Sequence, residues 1–255
     1  MRAIESVLAC EPSPAEILVV DDASPDGSAE ELSSWCAQFE SVSFIGLPHN
    51  IGVSGARNIG VRAAKYDYVT NLDGDDTIAD KQKIGAEYAC CRKGVGVIAT
   101  SVCVRHYELT GRIERVNPPQ ISMAAKEALP IVLEREWVPR DPMYSKSLFE
   151  KSGGFDEAKS LYEDWDFKIR LISLCDQLVF SGVDGTEYRI GEGGLSDRSK
   201  LELCRAENAI RWKNRHIFRQ FGVALFPYLK EECRLRYLNM RARIGGRLKR
   251  YRGEK

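Results

Sequence analysis

The segment "EILVVDD", residues 16–22, is a short unbroken apolar run closed by two acids. A run of that length with no polar face reads as a strand covered on both sides in a parallel sheet, and so it demands helices on both faces. The following residues supply them. Ser28 as N-cap with Glu31 three residues on, then Leu32, Trp35, Cys36 and Phe39, mark a helix. A second strand at 42–47 precedes a helix with Val53, Ala56, Ile59, Gly60 and Ala63 on one face, and a third strand follows at 67–72. Strand and helix alternating at this spacing predict an open α/β sheet, mostly parallel, whose ligands gather beyond the carboxyl ends of the strands.

The third strand runs directly into "LDGDD", which places Asp73, Asp75 and Asp76 together. Crowded carboxylates raise one another's pKa and destabilise a fold unless a cation or hydrogen-bond donors sit among them. Hard oxygen ligands suit Mg²⁺ or Mn²⁺, above all when phosphate oxygens complete the shell. The plainer alternative, an acid capping the helix near residue 80, needs one Asp rather than three. An EF-hand is excluded, because its sixth position, a glycine, falls on Ile78. Asp21 and Asp22 close the first strand at the same sheet edge, where a ribose or base contact is expected; an Asx-turn accounts for one of them but not for both.

Later segments are less regular. A helix near 80–93 and strands at 94–108 and 112–116 give way to a proline-rich stretch, 117–145, with loops around one short helix. "KSLFEKSGGF" is a short helix stopped by Gly153 and Gly154, and an amphipathic helix over 162–175 opens on Glu163 and Asp164. Helix-dipole stabilisation alone is a sufficient reason for acids there. Trp165 reads as core, whereas Trp137, within the proline-rich stretch, is the better candidate for a stacking platform. Two short strands near 177–180 and 186–190 lead to "GEGGLS", and the chain is helical from Ser199.

Lys and Arg number 37, as do Asp and Glu, so no global field marks a nucleic-acid binder. The basic stretch from Arg234 onward suits an anionic inner membrane surface, or equally a solvated or partner-packing helix. The eight cysteines show no C-x-x-C spacing and read as reduced thiols of a cytosolic protein. No run of 18 apolar residues and no signal-peptide pattern is present, so the expected location is cytoplasmic, with peripheral contact at the inner membrane face as the alternative.

The series "AIESVLA…EILVVDDASPDGS…NIGVSGARNIGVRAAKYDYVTNLDGDD…SKSLFEKSGGFDE…YEDWDFKIRL…YRI…GGLS" resembles the family 2 glycosyltransferases of GT-A fold, over residues 2 to 198. The resemblance implies a GT-A domain over 1–198, a mixed, mostly parallel sheet flanked by helices, followed by a helical basic extension over 199–255. It implies an inverting transfer of sugar from a nucleotide-sugar donor, a UDP-sugar first among them, to a hydroxyl of a glycan or lipid-linked acceptor. Asp21 and Asp22 then contact the donor base, Arg57 joins the donor-binding set, and Asp73 and Asp75 form the D-x-D signature that holds ribose and metal. Either Asp75 or Asp76 touches the metal. Asp164, beside Glu163, falls at the general base.

Two departures from the family pattern stand out. The strand of type "SVIIPTYN" that usually begins such domains is lacking, which implies an incomplete nucleotide pocket and a missed upstream start or truncated gene. A His that several members carry near "GGLS" is replaced locally by Gly191, Glu192 and Gly193, so Glu192 substitutes or no third ligand exists. Two rival readings remain. "DGDDT" also fits the haloacid-dehalogenase phosphatase pattern, with Asp73 as nucleophile and Asp75 as acid/base, although that motif normally ends a domain's first strand. The other rival is a non-catalytic remnant of the same fold. "NAIRW", 208–212, faintly matches a processive-synthase motif and reads as a plain helix surface.

Overall fold

The computed structural model describes residues 1–158, 161–191 and 198–237. Contacts divide the chain into two units, Met1–Gly191 and Glu192–Lys255. The first unit begins with α1 (Arg2–Leu8), β1 (Ile17–Asp21), α2 (Ser28–Cys36), β2 (Val42–Gly46) and α3 (Gly52–Ala63). β1 and β2 run parallel, with Ile17 opposite Val42 and Asp21 opposite Gly46. Ile4, Ile17, Cys36 and Val42 are buried together, with Leu32, Trp35 and Phe39 packed on them, so the helical spacing read in the sequence is the core face. The helix start differs by one residue. Gly27, at φ 77°, is the N-cap of α2, and the Ser28 hydroxyl instead donates to Asp26 at 2.6 Å.

The third strand is shorter than its hydrophobic pattern suggests. Only β3 (Tyr68–Val69) is ladder-paired, antiparallel to β8 (Tyr144–Ser145). Among the described residues β1 pairs only with β2, and β3 only with β8. Then come β4 (Thr77–Ile78), α4 (Lys83–Cys91), β5 (Val97–Tyr107), β6 (Arg112–Val116), β7 (Ser122–Ala124), α5 (Ala125–Glu134), α6 (Lys146–Ser152), α7 (Glu163–Ser173) and β9 (Gln177–Ile190). The larger sheet has the order β4-β9-β5-β6, with β7 also on β9; β5 and β9 are parallel and the other pairings antiparallel.

The expected strands at 177–180 and 186–190 are one strand with register shifts against β5. Glycines carry the chain through the irregularity rather than ending it: Gly182 takes φ 88°, and a Cβ on Gly185 would stand 2.6 Å from the Ser101 side chain. In the second unit α8 (Lys200–Lys213) is capped by Ser199 in a capping box with Glu202, and α9 (Arg215–Gln220) follows. There, the "NAIRW" residues serve packing: Asn208 donates to Glu232 at 2.8 Å, and the Arg211 guanidinium lies 3.9 Å from the Tyr228 ring centre. All eight cysteines are free thiols. No described helix is long and apolar enough to cross a membrane.

Candidate active site

The acid cluster is a turn between β3 and β4, closed by the Asp76 amide donating to the Asp73 carbonyl at 3.1 Å. One oxygen each of Asp73, Asp75 and Asp76 lies within 4.8 Å of the others. What makes this tolerable is a pair of guanidinium groups. Arg57, on α3, donates from Nη2 to Asp73 Oδ1 at 2.5 Å and from Nη1 to Glu163 Oε1 at 2.9 Å. Arg140 donates from Nη2 to Asp73 Oδ2 at 3.2 Å and to Asp76 Oδ2. Glu163, Arg57, Asp73, Arg140 and Asp76 thus form an alternating chain of charges that ties the start of α7 to the acidic turn.

The three acids have different surroundings. Asp76 is fully buried; its Oδ2 is held by Arg140, and its Oδ1 accepts the Arg189 amide at 3.2 Å. Burial outweighs those partners and pushes its carboxyl up to about 6. Burial also opposes charge on Asp73, but Arg57 and Arg140 prevail and hold it below its ordinary range. Asp75 is exposed and has no hydrogen-bond partner among the described residues. With both its oxygens on guanidinium groups, Asp73 is poorly placed to act as the phosphatase-type nucleophile.

No motif in the sequence marks Arg140. It lies in "VPRDP", a stretch without periodicity, and its only signal was an Arg-Asp pair between two prolines. The structure shows how it is aimed. Asp141 sits at φ 40°, and its carbonyl accepts from Thr70 Oγ1 at 2.9 Å and from Lys83 Nζ at 3.1 Å. Lys83 is itself buried against Glu87 at 2.8 Å, and Glu87 accepts Ser101 Oγ at 2.6 Å. The Arg140 guanidinium lies over the Tyr188 ring, 4.2 Å from its centre.

Asp21 and Asp22 both have internal partners, contrary to the expectation that a turn accounts for only one. Asp21, 8% exposed, accepts from the Ser24 amide at 3.1 Å and its hydroxyl at 2.5 Å. Asp22 accepts the Ile51 and Gly52 amides, each at 2.8 Å, and so caps α3. Two acids at the end of one strand thereby fix the turn around Ala23 and the helix that carries Arg57.

Asp164, one turn from Lys168, accepts from its Nζ at 2.8 Å while remaining 34% exposed. Burial acts to raise its pKa, but Lys168, with Arg140 and Arg57 behind it, holds the carboxylate well below the ordinary range. Glu163 is buried and engaged with Arg57. The "GGFDE" motif sets the spacing between α3 and this helix. Asn58 pairs with the Phe155 backbone in both directions, at 2.8 and 2.9 Å, and also donates to Glu157. Gly154, at φ 68°, leaves the room this needs, since a Cβ there would lie 2.8 Å from Asn58 Oδ1.

Two candidates are corrected or lie elsewhere. Trp137 is 8% exposed, so its ring is enclosed by the protein rather than offered as a stacking platform. Trp165 is core as expected, 2% exposed, and donates to the Val132 carbonyl at 2.8 Å. Glu192 and the basic stretch from residue 238 lie outside the described residues.

With this geometry in view, the likeness to known proteins is specific. The family model described as glycosyl transferase family 2 matches residues 1–128. The succinoglycan biosynthesis protein ExoO of Rhizobium meliloti (strain 1021) is 29% identical over 213 residues, 79% of this chain and 60% of its own length. A poly-beta-1,6-N-acetyl-D-glucosamine synthase of Staphylococcus epidermidis is 35% identical over 77 residues, 30% of this chain and 18% of its own. Among solved structures, S. aureus TarS 1-349 in complex with UDP-GlcNAc superimposes with a TM-score of 0.63 at 17% identity, covering 82% of this chain and 60% of that one. The architecture is therefore GT-A, a mixed sheet flanked by helices. The chain spans 60% of the length of both ExoO and the TarS fragment.

Proposed function

The chain belongs to glycosyl transferase family 2, and from that membership we propose that it is an inverting glycosyltransferase, moving a sugar from a nucleotide-sugar donor to an acceptor hydroxyl. The observation that carries this reading is the Glu163–Arg57–Asp73 bridge, which sets Asp164 and the acidic turn on either side of one guanidinium. Base and nucleotide-binding acids must flank the reacting sugar for an in-line displacement, and a single rigid connection keeps their separation fixed.

Asp164 is the general base. As the acceptor oxygen attacks the anomeric carbon, the bond from that carbon to the donor diphosphate breaks and the acceptor proton passes to an Asp164 carboxylate oxygen. Attack from the face opposite the leaving group inverts the configuration. Glu163 orients this helix end through Arg57, and Asp21 and Asp22 shape the nucleoside pocket by fixing the turn and the start of α3. The donor set fits a divalent ion: hard carboxylate oxygens converge, and Asp75 offers one with no competing hydrogen bond. Asp75 is the ligand we assign first, with Asp73 and Asp76 held by Arg140 in the free protein; a bound Mg²⁺ or Mn²⁺ would supply charge stabilisation for the departing diphosphate.

A UDP-sugar is the proposed donor, in keeping with the UDP-GlcNAc complex of TarS. The acceptor class is a glycan or lipid-linked glycan, as befits likeness to proteins of succinoglycan and poly-N-acetylglucosamine synthesis. The test is a thermal-shift screen of UDP-sugars with Mn²⁺, followed by measurement of UDP release with oligosaccharide acceptors. A protecting donor that is turned over supports the proposal. Protection without any release points to a binding remnant, and no protection by any nucleotide sugar overturns it.

A further inference from the structure

The acidic turn already contains a cation of its own. Both oxygens of Asp73 accept from guanidinium groups, and those of Asp76 accept from Arg140 and the Arg189 amide. Of the three acids, only Asp75 has no hydrogen-bond partner among the described residues. Mg²⁺ and Mn²⁺ dehydrate reluctantly and are held through one or two carboxylates together with substrate phosphates rather than by a single carboxylate. A metal approaching this turn by itself therefore meets one free ligand and the repulsion of a nearby guanidinium.

The placement of Arg140 is built rather than incidental. Its backbone is fixed by the Asp141 carbonyl on Thr70 and buried Lys83, and the Tyr188 ring covers its guanidinium. Arg140 Nε lies 3.2 Å from Asp141 Oδ2 but makes no aligned hydrogen bond, so part of the fork remains unsatisfied. A guanidinium matches phosphate oxygens as well as carboxylates. A diphosphate arriving at Asp75 thus brings oxygens that can complete a metal shell and also receive Arg140.

We propose that Arg140 competes with the divalent cation for Asp73 and Asp76, so that the protein takes up the metal only together with a nucleoside diphosphate, onto whose phosphates the guanidinium transfers. The proposal rests on the reading that the metal sits in this turn at Asp75. It makes Arg140 a residue that sets the order of binding: metal and nucleotide enter together, and free metal is rejected.

The test is calorimetric titration of MnCl₂, alone and with saturating UDP, into the whole protein and into Arg140→Gln, Arg140→Lys, Tyr188→Leu and Asp75→Asn. Wild type should bind Mn²⁺ weakly alone and tightly with UDP. Arg140→Gln should bind Mn²⁺ alone about tenfold or more tighter, because a full charge has left the turn. Arg140→Lys, which keeps the charge without the fork, and Tyr188→Leu, which frees the guanidinium from its ring, should show smaller gains in the same direction. If Arg140→Gln fails to fold, as judged by circular dichroism, these two decide the question. Variants that bind Mn²⁺ alone no tighter than wild type overturn the proposal; if Asp75→Asn then still abolishes UDP-dependent Mn²⁺ uptake, the metal reading survives its loss. A wild type that takes no Mn²⁺ even with UDP removes both.

Discussion

Arg57 and Glu163, 106 positions apart in sequence, meet at 2.9 Å, and the same guanidinium grips Asp73 at 2.5 Å. The Glu163 side chain is 11% exposed and has no other partner among the described residues, whereas Asp73, 29% exposed, keeps Arg140, so removing the arginine strands chiefly the Glu163 carboxylate.

Arg57→Met should therefore cost about 3 kcal/mol in urea unfolding, since deleting one partner strands the charge that remains. Arg57→Lys should recover much of that stability but not the transfer rate, because one ammonium cannot span both carboxylates with the geometry of a fork. Equal loss of stability in both variants would argue that the contact is packing rather than a bridge.

Asp75 and Asp76 are neighbours that should respond in opposite ways. Asp76→Asn turns an amide nitrogen toward Arg140 or the Arg189 amide and leaves a buried donor unpaired, at about 1–3 kcal/mol. Asp75→Asn alters an exposed carboxylate with no partner among the described residues, so thermal stability should stay within about 0.5 kcal/mol of wild type. Its loss should appear in Mn²⁺-dependent UDP affinity, read by calorimetry.

These contrasts mark what the sequence could carry. The alternation of strand and helix, the D-x-D turn and the acids opening α7 are local patterns, and local sterics and periodicity are enough to write them. Arg140 reaches Asp76 across 64 positions from a proline-rich loop with no period to read, and its aim depends on Lys83 and Thr70 in other elements. The continuity of β9 depends on two glycines whose roles show only against β5. The burial of Trp137 likewise follows from tertiary packing, which outweighs the exposure expected of a loop residue.

The Lys83–Glu87 pair, buried to 1% and 0%, should behave as a support for Arg140 rather than as part of the chemistry. Lys83→Met strands Glu87, whose pKa is already raised by burial, and should destabilise by about 3–5 kcal/mol. A carboxyl with a raised folded pKa is relieved by protonation, so this variant should gain stability as pH falls and lose it as pH rises. The double variant Lys83→Met with Glu87→Leu should regain most of the stability while transfer stays lowered, because the Asp141 carbonyl keeps Thr70 but has lost the second of its two donors.

Lys168 governs the pH range over which Asp164 can accept a proton. With its pKa held down, chiefly by Lys168 against the opposing effect of burial, Asp164 is ionised throughout the neutral range. The acid limb of kcat/KM for wild type should then lie below about pH 4, the ordinary carboxylate value. The same depression means that the native-state stability from this carboxylate is present above its unfolded pKa and is lost as pH falls through the folded one. Lys168→Met removes the largest favourable influence while Arg140 and Arg57 remain, so the acid limb should move upward toward the ordinary carboxylate value, with transfer at neutral pH near wild type. Asp164→Asn should instead lower transfer about 10²- to 10⁴-fold at every pH while leaving UDP affinity unchanged. A limb that stays put in Lys168→Met, or an Asp164→Asn protein that transfers sugar at near-normal rate, would remove Asp164 from the role of base.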